Sequence, residues 1–425
     1  MKLLVPAIIG LVCVVSSSVY AQSDPPELSA WLRNTSGTTG YNGLPANVQQ
    51  VRYSDSYVYV SASGVPAYAI GPWGRDPNVP SNQGFTFKIA RHPAAATTFT
   101  ATGLGPIAIL TNGVAAFNAK DANSYNNGNV WHSNAVVVEG ADMDGCLGHP
   151  APGGTYHHHQ NPRCLYNADS TKHSAIIGFA FDGYPMYGAY GFANTEGSGG
   201  ITRIRSSFRA RNMTQRTSLA DGTILTAAQY GPDVSSTYPL GYYSEDFEYV
   251  ANLGDLDEHN GRFAVTPEYP QGTYAYYATI DANGASAFPY LIGTTYAGVV
   301  VQENITHRGK VTVGETVKTY TGTTAVADDQ HAVPVATMLG TVAPDPVVAG
   351  VDRALTVQFG VPEHATVSFS IVNMLGQERV AQESAGYTAG THGVAIDCSS
   401  LRPGAYAVVM HAAGTVRTAW FMVTK

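Results

Sequence analysis

The sequence contains few charged residues. They make up 13% of its 425 residues, about half of the share in an average soluble protein. The 23 lysines and arginines are outnumbered by 31 aspartates and glutamates, which gives a net charge of −8. A protein that binds nucleic acid needs a basic surface to attract the phosphates, so this balance argues against that class of function.

Long apolar runs are absent except at the N-terminus. No later segment reaches the roughly 18 uncharged apolar residues that a transmembrane helix needs. Lys2 precedes an apolar run from Leu3 to Val15, and Val19-Tyr20-Ala21 has the form of a cleavage site for signal peptidase. We therefore expect residues 1–21 to be a signal peptide, cleaved after Ala21, that directs Sec-type export to the periplasm.

The motifs of several common enzyme classes are also missing. The chain has no P-loop, no Rossmann glycine fingerprint, no H-E-x-x-H zinc-protease motif and no G-x-S-x-G nucleophile motif. A Ser-His-Asp triad stays open as an alternative, because triads assemble in space from distant parts of a chain.

The sequence is rich in glycine, proline and tyrosine, with 45, 24 and 26 residues respectively. This composition is typical of turns and strands and predicts a mainly β fold. Short runs of β-branched and aromatic residues are separated by glycine, proline and asparagine, which predicts a strand for each run. The runs are Tyr53–Val65, Phe85–Ala90, Ile107–Leu110, Ala135–Val138, Ile176–Phe181, Tyr274–Ala278 and Val299–Gln302.

A change of composition near Thr321 predicts a domain boundary. Residues 323–350 lack aromatic side chains and show no periodicity, which is typical of a linker. Residues 351–425 contain alternating or continuously apolar runs joined by turn-like sequences. We therefore expect a large β-rich region over residues 22–322 and a small immunoglobulin-like β-sandwich over residues 351–425.

The C-terminal unit resembles the type A sorting domain of the type IX secretion system. The resemblance rests on Leu375-Gly376, on Gly390-Thr391-His392, on the segment from Leu401 to Tyr406 and on the final Lys425. It implies transport across the outer membrane by the type IX machinery, followed by removal of the domain or by surface attachment. An ordinary accessory sandwich is the alternative, although it does not explain the terminal position.

Three cysteines, Cys146, Cys164 and Cys398, remain after removal of the signal peptide. Nearby cysteines pair in an oxidising compartment, so we expect a Cys146–Cys164 disulfide and a buried thiol at Cys398. The alternative is that Cys146 and Cys164 bind zinc, but the lack of a C-x₂-C spacing favours the disulfide.

Histidines form the densest cluster of side chains suited to chemistry. Six of the 13 histidines lie between His132 and His173. Neutral imidazole is a common ligand for zinc, copper, iron and nickel. The candidate metal ligands are His149, His157, His159 and His173.

The triple histidine has a spacing that predicts which rings point together. Gly153-Gly154 ends a turn and a β-prone run follows, in which residues two apart share a face. His157 and His159 are therefore predicted to reach one ion, with His158 on the opposite face. The alternative is an exposed polar tip that binds nothing, because histidine is common at protein surfaces.

The same segment resembles the YHYH domain, named for its Tyr-His-Tyr-His motif. Residues 156–159 read Tyr-His-His-His, which keeps both motif histidines and departs from the motif at His158. Further similarity includes Asp144 to Pro150, Asn161 to Tyr166 and His173 to Gly188, and the resemblance extends over about residues 105–300. It implies a domain type and carries no defined activity with it.

Several acids and two more histidines are candidates for roles around a metal. Carboxylates commonly orient the histidines that bind metal, although an acid in a turn often caps its own backbone instead. The candidates for residues surrounding the ligands are Asp182, His132 and His259. The candidate catalytic bases are Asp144, Asp182 and Glu258.

These features support three functional hypotheses for an exported protein. The first is a transition-metal site for copper or zinc, with copper favoured by the tyrosine-rich, oxidising surroundings. The second is a metal-free adhesion module in which tyrosines and Trp131 stack on a surface polysaccharide. The third is a metal-assisted hydrolase. In each case the C-terminal domain would engage the type IX secretion machinery and deliver the protein to the medium or to the outer-membrane surface.

Overall fold

The computed structural model describes residues 24–74, 76–322, 337–361, 365–387, 390–412 and 414–425. The predicted signal peptide and residues 323–336 of the predicted linker lie outside these ranges. Within them the protein is mainly β with a few short helices, as the composition predicts. In this part of the chain, no helix is both long and apolar enough to cross a bilayer.

Short strands and single-turn helices are the regular elements of the described residues between 24 and 322. The α-helices are α1 (Pro26–Ser29), α2 (Ala135–Val138) and α3 (Gln302–Thr306). The strands are β1 (Val48–Tyr53), β2 (Tyr57–Ala62), β3 (Phe85–Ala90), β4 (Pro106–Leu110), β5 (Ala115–Phe117), β6 (Lys120–Ser124), β7 (His132–Asn134), β8 (His149–Ala151), β9 (Thr155–His158), β10 (Ile176–Ala180), β11 (Pro185–Tyr187), β12 (Tyr190–Phe192), β13 (Ile201–Arg203), β14 (Phe208–Ala210), β15 (Phe247–Tyr249), β16 (Gly261–Ala264), β17 (Thr273–Tyr277) and β18 (Lys318–Thr319).

Two of the predicted strands are wrong. Ala135–Val138 forms α2, because the side chain of Asn134 accepts a hydrogen bond from the Val136 amide and caps a helical turn. At Val299–Gln302 the chain enters α3, which begins at Gln302. β-branched residues favour strands only weakly, so a local cap or a tertiary contact overrides them.

A mixed sheet of eight strands forms the centre of this region, in the order β16-β17-β11-β10-β4-β5-β9-β8. β10 is buried along its whole length, as expected for a strand that is covered on both faces. A second sheet, β18-β1-β2-β3, shares its hydrophobic core. Phe87 of the second sheet stacks on Phe181 with the ring centroids 5.4 Å apart. The packed core fixes the position of the outer strands β9 and β8.

The β8–β9 hairpin lies at the end of the eight-stranded sheet. β9 runs parallel to β5 and antiparallel to β8, with His149 opposite His157. Gly154 in the connecting turn has a φ of +79°, and a Cβ there would overlap Ser81 and Val79. Glycine at this position therefore serves both the turn conformation and the docking of the turn onto the preceding segment.

The C-terminal unit consists of two β-sheets around one core, in agreement with the predicted sandwich. Its strands are β19 (Met338–Ala343), β20 (Val347–Val348), β21 (Ala354–Val361), β22 (Ala365–Asn373), β23 (Glu378–Tyr387), β24 (Gly390–Asp397), β25 (Gly404–Ala412) and β26 (Thr415–Thr424). Cys398 is a buried free thiol in this core, as expected. β19 and β20 lie inside the segment predicted as a linker, so the unit includes residues 338–350. Both strands lie at sheet edges, where short strands with neighbouring prolines are tolerated.

Candidate metal centre

The β8–β9 hairpin brings three histidine rings together. His149 on β8 lies opposite His157 on β9, and His159 follows immediately after the end of β9. One ligand nitrogen from each ring lies within 4.8 Å of the other two. The Nε2 atoms of His157 and His159 are 2.9 Å apart, and all three residues are at most 6% exposed. Strand alternation has thus concentrated three buried imidazoles around one point.

Backbone carbonyls hold two of these rings in an orientation suited to metal binding. Nδ1 of His157 donates to the carbonyl of Thr155 at 3.0 Å, and Nδ1 of His159 donates to that of Asn118 at 2.5 Å. Because a carbonyl oxygen only accepts, we assign the ring hydrogen to Nδ1 in both cases. Nε2 of each neutral ring then carries the free lone pair, which is the arrangement found in metal-bound histidine.

Two carboxylates that sequence analysis missed adjoin the three rings. Oε2 of Glu139, which follows α2, lies 3.2 Å from Nε2 of both His149 and His159. Oδ2 of Asp76 lies 3.5 Å from Nδ1 of His149. Glu139 Oε2 and His149 Nε2 are buried without a well-aligned hydrogen-bond partner in the described part of the chain. Buried polar atoms in folded proteins usually have a partner, so these two adjacent atoms are available to bind a further group.

Burial and charge act in opposite directions on these groups. Burial favours the neutral form of Glu139, but the neighbouring rings of His149 and His159 outweigh it and lower its pKa well below the usual range. Burial also favours the neutral form of His149, which for a histidine means a lower pKa. The carboxylates of Glu139 and Asp76 outweigh burial and raise the pKa of His149 above its ordinary value. For His157, burial and the two neighbouring histidines lower the pKa well below its ordinary value. A neutral His157 can bind a metal without first losing a proton.

A cleft of about 390 Å³ opens beside the histidines. Phe117 forms an apolar part of its wall and stacks on His157 with the ring centroids 4.0 Å apart. The charged side chains in its lining, apart from the histidines, are Asp76, Asp121, Glu139, Asp142 and Lys120. A small molecule in this cleft would therefore meet the imidazoles within a mostly acidic lining.

His158 points to the opposite face of β9, as the alternation predicts. Its Nδ1 donates to the carbonyl of Leu147 at 3.0 Å, and its Nε2 lies 3.4 Å from the hydroxyl of Tyr68. Burial lowers its pKa to about 4. A Cβ at Gly148 would overlap the rings of both Tyr156 and His158. This face of β9 therefore packs against the loop before β8 and contributes no ligand atom to the histidine cluster.

Asp144 organises that loop. Its carboxylate accepts hydrogen bonds from the amides of Gly71, Cys146 and Gly148 and from the hydroxyl of Tyr156, at 2.8 to 3.1 Å. Four donors occupy its two oxygens, and these contacts hold the loop in place; its role as a catalytic base stays a prediction.

The Cys146–Cys164 disulfide is present, with a Cα–Cα distance of 5.2 Å. It closes a loop that contains all three clustered histidines. Because both sulfurs are in the bond, the alternative in which these cysteines bind zinc as thiolates is wrong for this structure.

His173 does not join the cluster, contrary to the prediction. It precedes β10, which β4 and β5 separate from β9. Three strand spacings amount to about 14 Å, too far for shared coordination. Its ring packs against Tyr187 and Phe192, and its Nδ1 donates to the carbonyl of Ser174 at 2.8 Å.

The two other predicted histidines are also bound elsewhere. Nδ1 of His132 lies 2.8 Å from Oε1 of Glu245. Nδ1 of His259 lies 2.8 Å from the hydroxyl of Thr295. Neither contacts the clustered rings, so the predicted role around the ligands is not supported for either residue.

The remaining predicted acids form local contacts away from the cluster. Oδ2 of the buried Asp182 accepts from the hydroxyl of Tyr276 at 2.6 Å and from the amide of Gly298 at 2.9 Å. Glu258 is about half exposed and lies 3.9 Å from His259. Asp182 caps its own turn and a neighbouring loop, which was the alternative interpretation.

Comparison with known proteins gives a match to a domain family over slightly less than half of the chain. The family model described as YHYH protein matches residues 86–288, a range that contains the histidine cluster and α2. No curated protein matches the chain. One solved structure, of PorZ from Porphyromonas gingivalis, is 8% identical with a TM-score of 0.15, and the alignment covers 96% of this chain and 47% of PorZ. PorZ is described as a surface component of the type IX secretion system, and the chain spans less than half of its length. A TM-score this low does not indicate a shared fold.

Proposed function

We propose that the protein binds one transition-metal ion, copper or zinc, through His149, His157 and His159. The observation that carries the proposal is the convergence of three buried ring nitrogens, two of them on rings fixed by carbonyl groups. With both ring hydrogens on Nδ1, the lone pairs of two Nε2 atoms only 2.9 Å apart face and repel each other, so either a shared proton or a cation must lie between them. A cation between the nitrogens would remove the repulsion and satisfy the unpaired His149 Nε2.

The cleft supports a second candidate function, metal-assisted hydrolysis. Catalytic zinc sites have three protein ligands and keep a further position for water or substrate. Here three histidines adjoin a cleft of about 390 Å³, and Glu139 replaces the acids named from the sequence as the carboxylate at the site. The adhesion hypothesis is weaker, because Trp131 is buried and donates its Nε1 hydrogen to the carbonyl of Gln229.

We also propose that the C-terminal sandwich, residues 338–425, directs the protein through the type IX secretion system to the outer surface. The proposal rests on the sequence motifs of that unit and on its own hydrophobic core. An independent core is what a sorting domain needs if it is to be recognised or removed separately from its cargo.

Metal analysis of the full mature chain tests the binding proposal. Protein stripped with a chelator should take up one equivalent of zinc or copper, with an affinity measured by competition against a chromogenic chelator. His157→Gln should greatly weaken uptake. His173→Gln is the matched control, since it removes a partly buried histidine outside the cluster, and it should bind like the wild type. Wild-type protein that takes up neither metal would overturn the proposal.

A further inference from the structure

We infer that Glu139 is a fourth, displaceable ligand of this site and holds the position that a neutral small molecule from the cleft would take. The inference rests on the proposed metal-binding function. It extends that function in two ways: it names a metal ligand outside the triple-histidine motif, and it names the chemical class of the molecule that the site accepts.

The first support is the geometry of four atoms. The distances from Glu139 Oε2 to the Nε2 atoms of His149 and His159 are both 3.2 Å, and that between the Nε2 atoms of His157 and His159 is 2.9 Å. In a tetrahedral zinc site with bonds of about 2.0–2.2 Å, neighbouring ligand atoms are about 3.3–3.6 Å apart. The observed separations are a few tenths of an ångström shorter, so a small outward shift would accommodate one ion.

The second support is that Glu139 and His149 each leave a buried atom unsatisfied at this point. Oε2 of Glu139 and Nε2 of His149 have no aligned hydrogen-bond partner among the described residues, although they lie 3.2 Å apart. In the tautomer with its hydrogen on Nδ1, which faces Asp76 at 3.5 Å, His149 presents the lone pair of Nε2 to this point. A cation there would be bound by two acceptor atoms, Nε2 of His149 and Oε2 of Glu139.

Glu139 also differs from the histidines in its exposure and support. Its side chain is 27% exposed, whereas those of His149 and His159 are 7% and 4% exposed. The rings of His157 and His159 are each fixed by a carbonyl, but Glu139 only follows the single turn of α2. The carboxylate of Glu139 is therefore the ligand most accessible from the cleft, and its position is less firmly fixed than the positions of the histidine rings.

The charge of the cleft selects the class of incoming ligand. Three further acids, Asp76, Asp121 and Asp142, line it. Its one lysine, Lys120, is already paired with Glu245 at 2.9 Å. Even with a divalent cation bound, the four carboxylates of the lining leave the cleft net negative, so an anion would approach against like charges and the site should accept a neutral nitrogen or oxygen donor. Exchange needs only that the donor's lone pair replaces that of the carboxylate, with no net transfer of protons or electrons.

Cobalt(II)-loaded full-length protein provides the test, because the visible absorption of cobalt reports its coordination. Wild type, Glu139→Ala, Glu139→Gln and Glu248→Ala are titrated with imidazole, a neutral donor, and with azide, an anionic one. Glu248→Ala is the matched control, since Glu248 is exposed to a similar extent (29%) but is paired with Arg209 outside the cleft. Glu139→Gln keeps a neutral oxygen donor and shows whether size or charge matters.

We expect Glu139→Ala to bind cobalt about 10- to 100-fold more weakly than the wild type and to bind imidazole at least about tenfold more tightly. Glu248→Ala should change the imidazole midpoint by less than about twofold, and wild type should prefer imidazole to azide. If wild type takes up cobalt but Glu139→Ala matches it in spectrum and imidazole midpoint, the inference about Glu139 fails while metal binding stands. If wild type prefers azide, the ligand class is wrong. If wild type takes up no cobalt, zinc or copper, the proposed function and the inference fail together.

Discussion

Replacing the adjacent histidines of β9 one at a time separates metal binding from folding. His157 points to the cluster and His158 to the opposite face, and both are buried. His157→Gln and His158→Gln each remove one histidine from the unfolded chain, so any metal bound by that state changes equally. The two variants therefore differ in which face of β9 loses its histidine.

The expected magnitudes follow from the contacts. Structural zinc sites with four ligands bind with about 10–16 kcal/mol, or about 3–4 kcal/mol per ligand, so His157→Gln should weaken binding about 100- to 1,000-fold. His158→Gln loses the hydrogen bond to the Leu147 carbonyl, which costs about 1 kcal/mol of folding stability. It should leave the metal affinity nearly unchanged.

Denaturant unfolding with and without metal measures both effects. Free metal at about 100 times the wild-type Kd should add about 2.7 kcal/mol to the free energy of unfolding of wild type and of His158→Gln. The same concentration should add at most about 0.4 kcal/mol to His157→Gln, because it then lies near or below the Kd of that variant. Equal loss of the metal effect in both variants would refute the reasoning, since adjacent residues of a strand cannot both face one ion.

Three further predictions concern the loop, the C-terminal unit and a buried acid. Replacing Cys146 and Cys164 by serine should lower the free energy of unfolding by about 3 kcal/mol, as expected for a disulfide between residues 18 apart. It should also weaken metal binding, because the loop closed by the disulfide carries the ligands. An unchanged urea midpoint would contradict this prediction. A chain that lacks residues 338–425 should accumulate in the periplasm, as followed by immunoblots of cell fractions, and its appearance at the cell surface would exclude the sorting role. Burial raises the pKa of Asp182 to about 6 from 3.8, so the stabilisation from its protonated form is present at low pH and is lost as the pH rises through that range. In urea unfolding, wild type should therefore lose about 2 kcal/mol relative to Asp182→Asn between about pH 4 and about pH 7, and a difference independent of pH would contradict the assignment.

The β content of this fold follows from local sequence, whereas several boundaries do not. Phe85–Ala90 alternates in burial as its sequence alternates in polarity, because a strand with one covered face follows a period of two. Ala135–Val138 has the composition of a strand but forms a helical turn, since the side chain of Asn134 caps it. The strands at residues 338–348 escaped detection because edge strands need only weak patterns.

The site was predictable to the extent that it depends on one hairpin. The alternation of β9 relates His157 to His159, and the short turn returns the chain so that His149 lies opposite. Glu139 and Asp76 reach the same point from 10 and 73 residues before His149. Neither lies at a spacing that a strand or helix would repeat, so only the tertiary packing of α2 and of the loop after β2 brings them in.

The four residues of the Tyr-His-His-His segment act through both faces of the strand. On one face His157 and His159 supply two ring nitrogens. On the other, the hydroxyl of Tyr156 and Nδ1 of His158 bond to Asp144 and to the carbonyl of Leu147, and so hold the loop that leads directly into His149. The second face thereby positions the third ring nitrogen.

This division explains how the departure from the Tyr-His-Tyr-His motif at position 158 is compatible with a metal site. The residue there needs a polar ring that packs on Gly148 and reaches the loop, and it needs no ligand atom. His158→Tyr should therefore keep the metal affinity, while the larger ring costs up to about 1–3 kcal/mol of folding stability in a pocket that is already filled. Isothermal titration and urea unfolding of the same variant measure the two effects separately, and a loss of affinity larger than about tenfold would show that the second face does more than position His149.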